Sequence, residues 1–165
     1  MKLIIALVIL AGLLLLLLLL PRLAVGWFGP SKPSHIGVDE PTDGLLHACP
    51  KTPNCFRTQL SVSDSAVSRD SRSVIERIEL AVTATNGQIE LRSDNYLHAT
   101  FKSRLLGYID DFECLVSISE QQDNTAVDST LLHCRSASRI GHSDFGVNKK
   151  RVTTILQTAG FKPPV

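Results

Sequence analysis

Residues 3–20, LIIALVILAGLLLLLLLL, contain no charged and no polar side chain. As a helix, these 18 residues rise about 27 Å, close to the roughly 30 Å hydrocarbon core of a bilayer. The eight consecutive leucines at 13–20 leave no polar stripe, so the run cannot serve as the amphipathic helix of a soluble fold. Whatever folds in water must be built from the residues after it. Lys2 and the terminal amine precede the run, and Pro21 and Arg22 close it, a bias that favours an inside N-terminus and a translocated remainder. No Ser- and Arg-rich transit composition precedes it. The length predicts a retained signal anchor over residues 1–28. The alternative is a cleaved signal peptide with its cut near Gly26, after the small residues Ala24 and Val25, and a secreted product.

The rest of the chain has room for one domain. Residues 29–44, GPSKPSHIGVDEPTDG, carry three prolines and three glycines and read as an extended linker; residues 45–165 are then a single folded unit. Without Lys2 and Arg22, 15 basic and 16 acidic residues remain, which excludes a generic nucleic-acid binder. The balance hides a local excess. Between 135 and 151 stand Arg135, Arg139, Lys149, Lys150 and Arg151 against one acid, Asp144.

Apolar residues at helical spacing (Val74, Ile75, Ile78, Ala81, Val82) predict a helix over about 72–86, with Ser73 and Glu76 as its capping box and Asn86-Gly87 as its stop. Four strands are expected next, over 88–92, 96–103, 108–118 and 131–139, from their period-two alternation. A last helix over about 145–159 turns Val152, Ile155, Leu156 and Ala159 inward and stops at Gly160. The economical assembly is α+β: a four-stranded antiparallel sheet with two helices packed on one face, preceded by an N-terminal transmembrane helix. The opposite sheet face, carrying Tyr96, His98, Asp111 and Glu113, is expected to be polar and exposed.

Four cysteines divide into two pairs. Cys49 and Cys55 sit in CPKTPNC, too widely spaced for a CxxC motif, and in a translocated domain a disulfide is expected; a thiol or metal pair with His47 is the alternative. Aligning the apolar faces of the third and fourth strands puts Cys114 opposite Cys134, as a second bridge or as buried small residues. The same register pairs Glu113 with Arg135, and a parallel argument for the preceding hairpin pairs Lys102 with Asp111. Such cross-strand ion pairs are ordinary in sheets. At the junction before the last helix, Ser143 or Asp144 can cap the first free N–H groups. Lys149, Lys150 and Arg151 then lie near the positive end of the helix dipole, where cations are least favoured. With Arg135, Ser136, Ser138, Arg139, Ser143 and Asn148, Lys149 and Arg151 form a candidate anion or partner site. The catalytic alternative is a hydrolase or transferase using His98 with Asp111 or Glu113. No metal or cofactor motif is present.

The blocks CPKTPNC, YLHATFKSRLLGYIDDFE and RSASRIGHSDFGVNKKRV, in this order, resemble the domain of unknown function 1499 from about Cys49 to about Leu156. The family pattern falls on Cys49, Pro50, Pro53, Asn54 and Cys55, and again on Tyr96, His98, Ser103, Asp110, Asp111 and Glu113. Its last block covers Arg135, Ser136, Ser138, Arg139, Gly141, Ser143, Asp144, Gly146, Asn148 and Arg151. Cys114 and Cys134 depart from it, standing where bulkier apolar residues are usual. The resemblance implies a small bacterial envelope protein, with relatives in plastid-bearing organisms, often with one N-terminal membrane segment; it implies no reaction or ligand. The expectation is a single-pass inner-membrane protein with its C-terminal domain in the periplasm. That domain is read as a non-enzymatic binding or accessory module for an anionic ligand or envelope partner. A purely structural envelope protein is the remaining alternative.

Overall fold

Strands dominate the chain after residue 28 because many of its apolar side chains recur every second residue. The computed structural model describes residues 1–28, 33, 36–39, 45–62, 74–104, 106–119 and 129–163. In chain order the elements are α1 (Lys2–Phe28), β1 (Val38–Asp39), β2 (Leu45–Leu46), β3 (Cys55–Val62), α2 (Val74–Ala84), β4 (Gln88–Arg92), β5 (Tyr96–Lys102), β6 (Ile109–Ser119), β7 (Ser129–Ser138) and α3 (Val147–Thr158). Within α1 the stretch Lys2–Leu20 is long and apolar enough to cross a membrane, and none of it is buried.

The main sheet is antiparallel and five-stranded, in the order β3-β7-β6-β5-β4. This corrects the expectation of four strands. The extra strand, β3, pairs along its whole length with β7 and forms one edge. Its sequence, CFRTQLSV, does alternate, with Phe56, Leu60 and Val62 on one face. Thr58 interrupts the apolar series, and as an edge strand β3 buries only Val62 fully.

The register between β6 and β7 sets Glu113 against Arg135 and Cys114 against Cys134, as the sequence predicts. The β5–β6 hairpin differs. Lys102 faces Ile109 and Asp111 faces Thr100, so the expected Lys102–Asp111 pair does not form. The reason lies in the loop. Ser103 accepts the Tyr108 N–H on its Oγ and donates its own N–H to the Tyr108 carbonyl, closing the hairpin two residues earlier than expected.

One sheet face shares a hydrophobic core with both helices. Ile75, Ile78 and Val82 of α2 and Val152, Ile155 and Leu156 of α3 cluster with Leu97, Phe112, Cys114, Leu132 and Cys134. Cys114–Cys134 is a disulfide inside this core, and Cys49–Cys55 closes the short loop before β3. Both thiols of the latter pair are thereby used, so the alternative of metal ligation with His47 is not realised.

Helix ends are built as the sequence suggests, with one exception at the start of α2: Ser73 lies outside the described residues. At its other end Asn86 takes a left-handed φ of 64°, while Asn86 N–H and Gly87 N–H bond back to the Thr83 and Val82 carbonyls. This is the Schellman arrangement. α3 ends the same way, on Gly160 at φ 80°, and Arg77 of α2 donates to the Ala159 carbonyl while stacking 4.5 Å from the Phe161 ring centroid. At its start, the Asp144 carboxylate accepts the N–H groups of Gly146 and Asn148, the capping role expected of Ser143 or Asp144.

Gly87 is needed for space. A Cβ there would stand 2.5 Å from Val82 Cγ1 and 2.6 Å from Phe101 Cζ. We expect Gly87→Ala to destabilise the domain by about 1–3 kcal/mol, the cost of forcing an extra carbon into a packed core. Denaturant unfolding would measure it, and an unchanged midpoint would contradict the packing described here.

Candidate functional site

β6 lies at the centre of the sheet and carries consecutive acids. Alternation sends Asp110 toward the helices and Asp111 and Glu113 to the opposite face. That second face is not exposed, contrary to expectation. Tyr96, His98, Asp111, Glu113, His133 and Arg135 are all buried. The cover comes from β2, at the start of the expected folded unit, and from part of the segment read as a linker. β1 pairs antiparallel with β2, Leu46 packs with Tyr96 and Leu115, and the Gly37 N–H donates to Glu113 Oε1 at 2.8 Å. An N–H from that segment thus supplies a hydrogen bond that a buried carboxylate requires.

Glu113 accepts two further bonds, from Tyr96 OH at 2.7 Å and Arg135 Nη1 at 2.9 Å. Burial first, and the neighbouring Glu113 carboxylate second, push the Tyr96 phenol far above its ordinary range, so its hydroxyl remains a donor. Asp111 is held by Arg139 in a two-bond fork, Nε to Oδ2 and Nη2 to Oδ1 at 2.9 Å each, while His98 Nε2 lies 2.8 Å from Oδ1. Burial raises the Asp111 carboxyl, but the bonds from His98 and Arg139 and their charges outweigh it and hold the group below its ordinary value. The same fork raises Arg139. His133 bonds Ser117 Oγ through Nε2, and burial, aided by Arg57, lowers its pKa. Among the described residues, four buried nitrogens on this face have no hydrogen-bond partner: His98 Nδ1, His133 Nδ1, Arg135 Nε and Arg135 Nη2.

On the helix side the polar residues form a second network. Asn148 donates to the Asn54 carbonyl at 2.9 Å and to Ser138 Oγ at 3.1 Å; Asn54 donates to the Gly141 carbonyl at 2.7 Å. Arg151 reaches Asp110 at 2.6 Å, Ser136 Oγ at 3.0 Å and Asn148 Oδ1, with its guanidinium 4.8 Å from the Phe101 ring centroid. Ser136 Oγ also lies 2.9 Å from the Asp111 carbonyl, linking the network to the central strand.

The eight residues of the candidate anion site are thus divided by the sheet. Arg135 and Arg139 lie on the covered face, each bonded to an acid of β6. Ser136, Ser138, Asn148 and Arg151 lie on the helix face in the network around Asp110. Ser143 accepts the Phe145 N–H in the turn before α3, and Lys149 is exposed, its Nζ 5.9 Å from the Phe56 ring centroid. Tyr96, His98, Asp111 and Glu113 do share one face, in two hydrogen-bonded groups: Tyr96 with Glu113 and Arg135, and His98 with Asp111 and Arg139. Among the described residues, no three His, Cys, Asp or Glu side chains are grouped to hold a metal ion.

Beside the His98–Asp111–Arg139 group, a cleft of about 490 Å³ opens over β4–β6, lined by Gln88, Glu90, His98, Thr100, Lys102, Ile109 and Arg139. A bulge in β4 around Glu90 breaks the pairing with β5 there, and Glu90 accepts the Thr100 hydroxyl at 2.7 Å. Sequence reasoning names His98 and Arg139 but misses Thr100 and Lys102. The signal was available, since alternation along β5 places both on the His98 face.

A family model described as a protein of unknown function, DUF1499, matches residues 45–158. The chain belongs to this family. A search of curated proteins gave no match. For this DUF1499 protein the three sequence blocks that carry the likeness meet in space. Asn54 from the first, Asp110, Asp111 and Glu113 from the second, and Arg135 to Arg151 from the third build the two polar networks on either side of β6. Much of the motif therefore performs the architectural task of satisfying buried charge.

The buried pairs make the stability of the domain sensitive to mutation and to acid. Glu113→Leu leaves Arg135 charged, buried and unpaired, and should cost about 3–5 kcal/mol; adding Arg135→Met should recover a large part of it. Denaturant unfolding of the two single variants and the double variant measures this coupling. In acid, the lowered pKa values of Asp111 and His133 act in one direction. Each contributes stability that is present above its unfolded pKa, about 3.9 for Asp and about 6.5 for His, and lost as pH falls through the lower folded value. His133→Gln should therefore flatten the fall in melting temperature just below about pH 6.5, and Asp111→Asn the fall below about pH 4, as read by thermal scans across pH.

Proposed function

We propose that this DUF1499 protein is a membrane-anchored envelope protein. Its folded domain acts as a non-enzymatic binding module that takes an anionic group into the cleft over β4–β6. The observation that carries this is the position of Arg139. Its guanidinium forms part of the cleft wall and is fixed there by the two-bond fork to a buried carboxylate, itself held by His98. A cation positioned before the ligand arrives loses little freedom on binding. Lys102 on the same wall supplies a second, more mobile charge, and the Gln88 side-chain amide supplies N–H donors suited to carboxylate or phosphate oxygens. The apolar span in α1, which precedes a domain with two disulfides, supports anchorage facing an oxidising compartment.

A hydrolase or transferase is the second reading, favoured by the imidazole–carboxylate pair of His98 and Asp111 at the cleft. Against it, His98 Nε2 is already committed to Asp111, and no hydroxyl or thiol lies within bonding distance of Nδ1. A side-chain nucleophile activated by His98 therefore has no candidate among the described residues.

Lys102 is exposed and can be changed without disturbing the buried pairs. Inorganic phosphate and citrate should each raise the melting temperature of the wild-type chain in detergent, and Lys102→Glu should remove most of that rise while leaving the ligand-free melting temperature unchanged. An equal rise in both proteins would sink the cleft as the binding site.

A further inference from the structure

Outside α1, the most exposed large apolar side chain among the described residues is Phe145, at 97%. It stands in the turn before α3 with a left-handed φ of 52°, unusual for an aromatic residue. Val147, 48% exposed, follows it on the first turn of α3. Two exposed lysines flank this pair. Lys149 leans over Phe56 on one side, while Lys150 lines a recess with Val147 and Phe101 on the other. The nearest acid in the chain, Asp144, is occupied by two backbone N–H groups. The other exposed leucines sit among mixed charges: Leu80 has Arg77 beside it, and Arg92, next to Leu91, pairs with Glu76 and Glu79. The corner at Phe145 is thus an apolar projection flanked by positive charge.

We propose that Phe145, Val147, Lys149 and Lys150 form a docking surface for an anionic lipid bilayer, with Phe145 entering the headgroup layer and the lysines meeting lipid phosphates. The inference rests on the placement of α1 in the membrane proposed above. Charge complementarity selects an anionic surface, and the combination of an aromatic ring with flanking lysines is what an interfacial contact needs. Tether length makes a small patch sufficient. α1 runs eight residues past Leu20, about 12 Å, which carries its end through the headgroup layer. Only eight residues then lie between Phe28 and Gly37, which is bonded to Glu113 in the sheet. The nine steps of chain from 28 to 37 reach at most about 32 Å, less than the roughly 35 Å width of a domain of this size. The domain cannot leave the membrane surface, and its effective concentration there is on the order of millimolar. Two lysines and one aromatic ring are weak ligands in free solution, but at that concentration they hold an orientation.

The test uses the full chain in vesicles of phosphatidylcholine and phosphatidylglycerol, with brominated acyl chains as quencher. Trp27 is the single native tryptophan and reports whether α1 is in the bilayer. Phe145→Trp in a Trp27→Phe background reports the corner, and Leu80→Trp in the same background reports an unrelated surface. We expect quenching at 27 and at 145 but not at 80. Adding Lys149→Glu and Lys150→Glu should lower the docked population tenfold or more, on the order of fivefold per basic residue removed. Loss of quenching at 27 would overturn the placement of α1 and this inference with it. Quenching at 27 without quenching at 145, or equal quenching at 145 and 80, would overturn the docking surface alone.

Discussion

The structure depends on the buried carboxylates of β6. Asp110, Asp111 and Glu113 are brought by one central strand to both faces of the sheet, and none of them can ionise in the interior without a partner. Each is answered by an arginine from the last block of the chain: Arg151 for Asp110, Arg139 for Asp111 and Arg135 for Glu113. These three pairs explain most of the concentration of positive charge that stands out in the sequence. They also explain why the N-terminal segment folds back, since Glu113 takes a hydrogen bond from the Gly37 backbone as well as from Tyr96 and Arg135.

A sheet with a dry, polar second face differs from the simple two-layer arrangement in which one face packs and the other meets water. Burying ions seldom adds net stability compared with apolar residues of the same shape, but it makes alternatives costly. Slipping β7 by one residue against β6 would move Arg135 away from Glu113 and into the hydrophobic core, so the pairs discriminate strongly between registers. The disulfide between Cys114 and Cys134 fixes the same register from the other face. Specificity of pairing is thus enforced twice on adjacent residues.

Part of this was legible in advance. The helices, the β6–β7 register, the two disulfides as options, and the common face of Tyr96, His98, Asp111 and Glu113 all follow from periodicity, because periodicity is a local property of the chain. Three features were not. β3 was hidden by Thr58 and by its edge position, where burial demands little apolar character. The hairpin register of Lys102 turned on how Ser103 closes a loop, a matter of two hydrogen bonds. Covering of the polar face by β1 and β2 depended on contacts of Gly37 and Leu46 with strands far along the chain. Its prolines and glycines describe that segment's stiffness and turns without saying what it touches.

By itself the sequence determined the apolar span, the α+β class and the identity of the residues bearing charge, because composition and spacing act over a few neighbours. Beyond the Glu113–Arg135 pair that the β6–β7 register already implies, only the tertiary structure decided where those charges point. A single cationic corner in the sequence became two networks separated by a sheet, since successive residues of β7 face opposite sides. Of the five cations in that corner, the three arginines are drawn into pairs with β6, and Lys149 and Lys150 stay at the surface beside Phe145. Pairing requires two groups to meet in space, and a strand distant in the chain supplied the partner for each arginine.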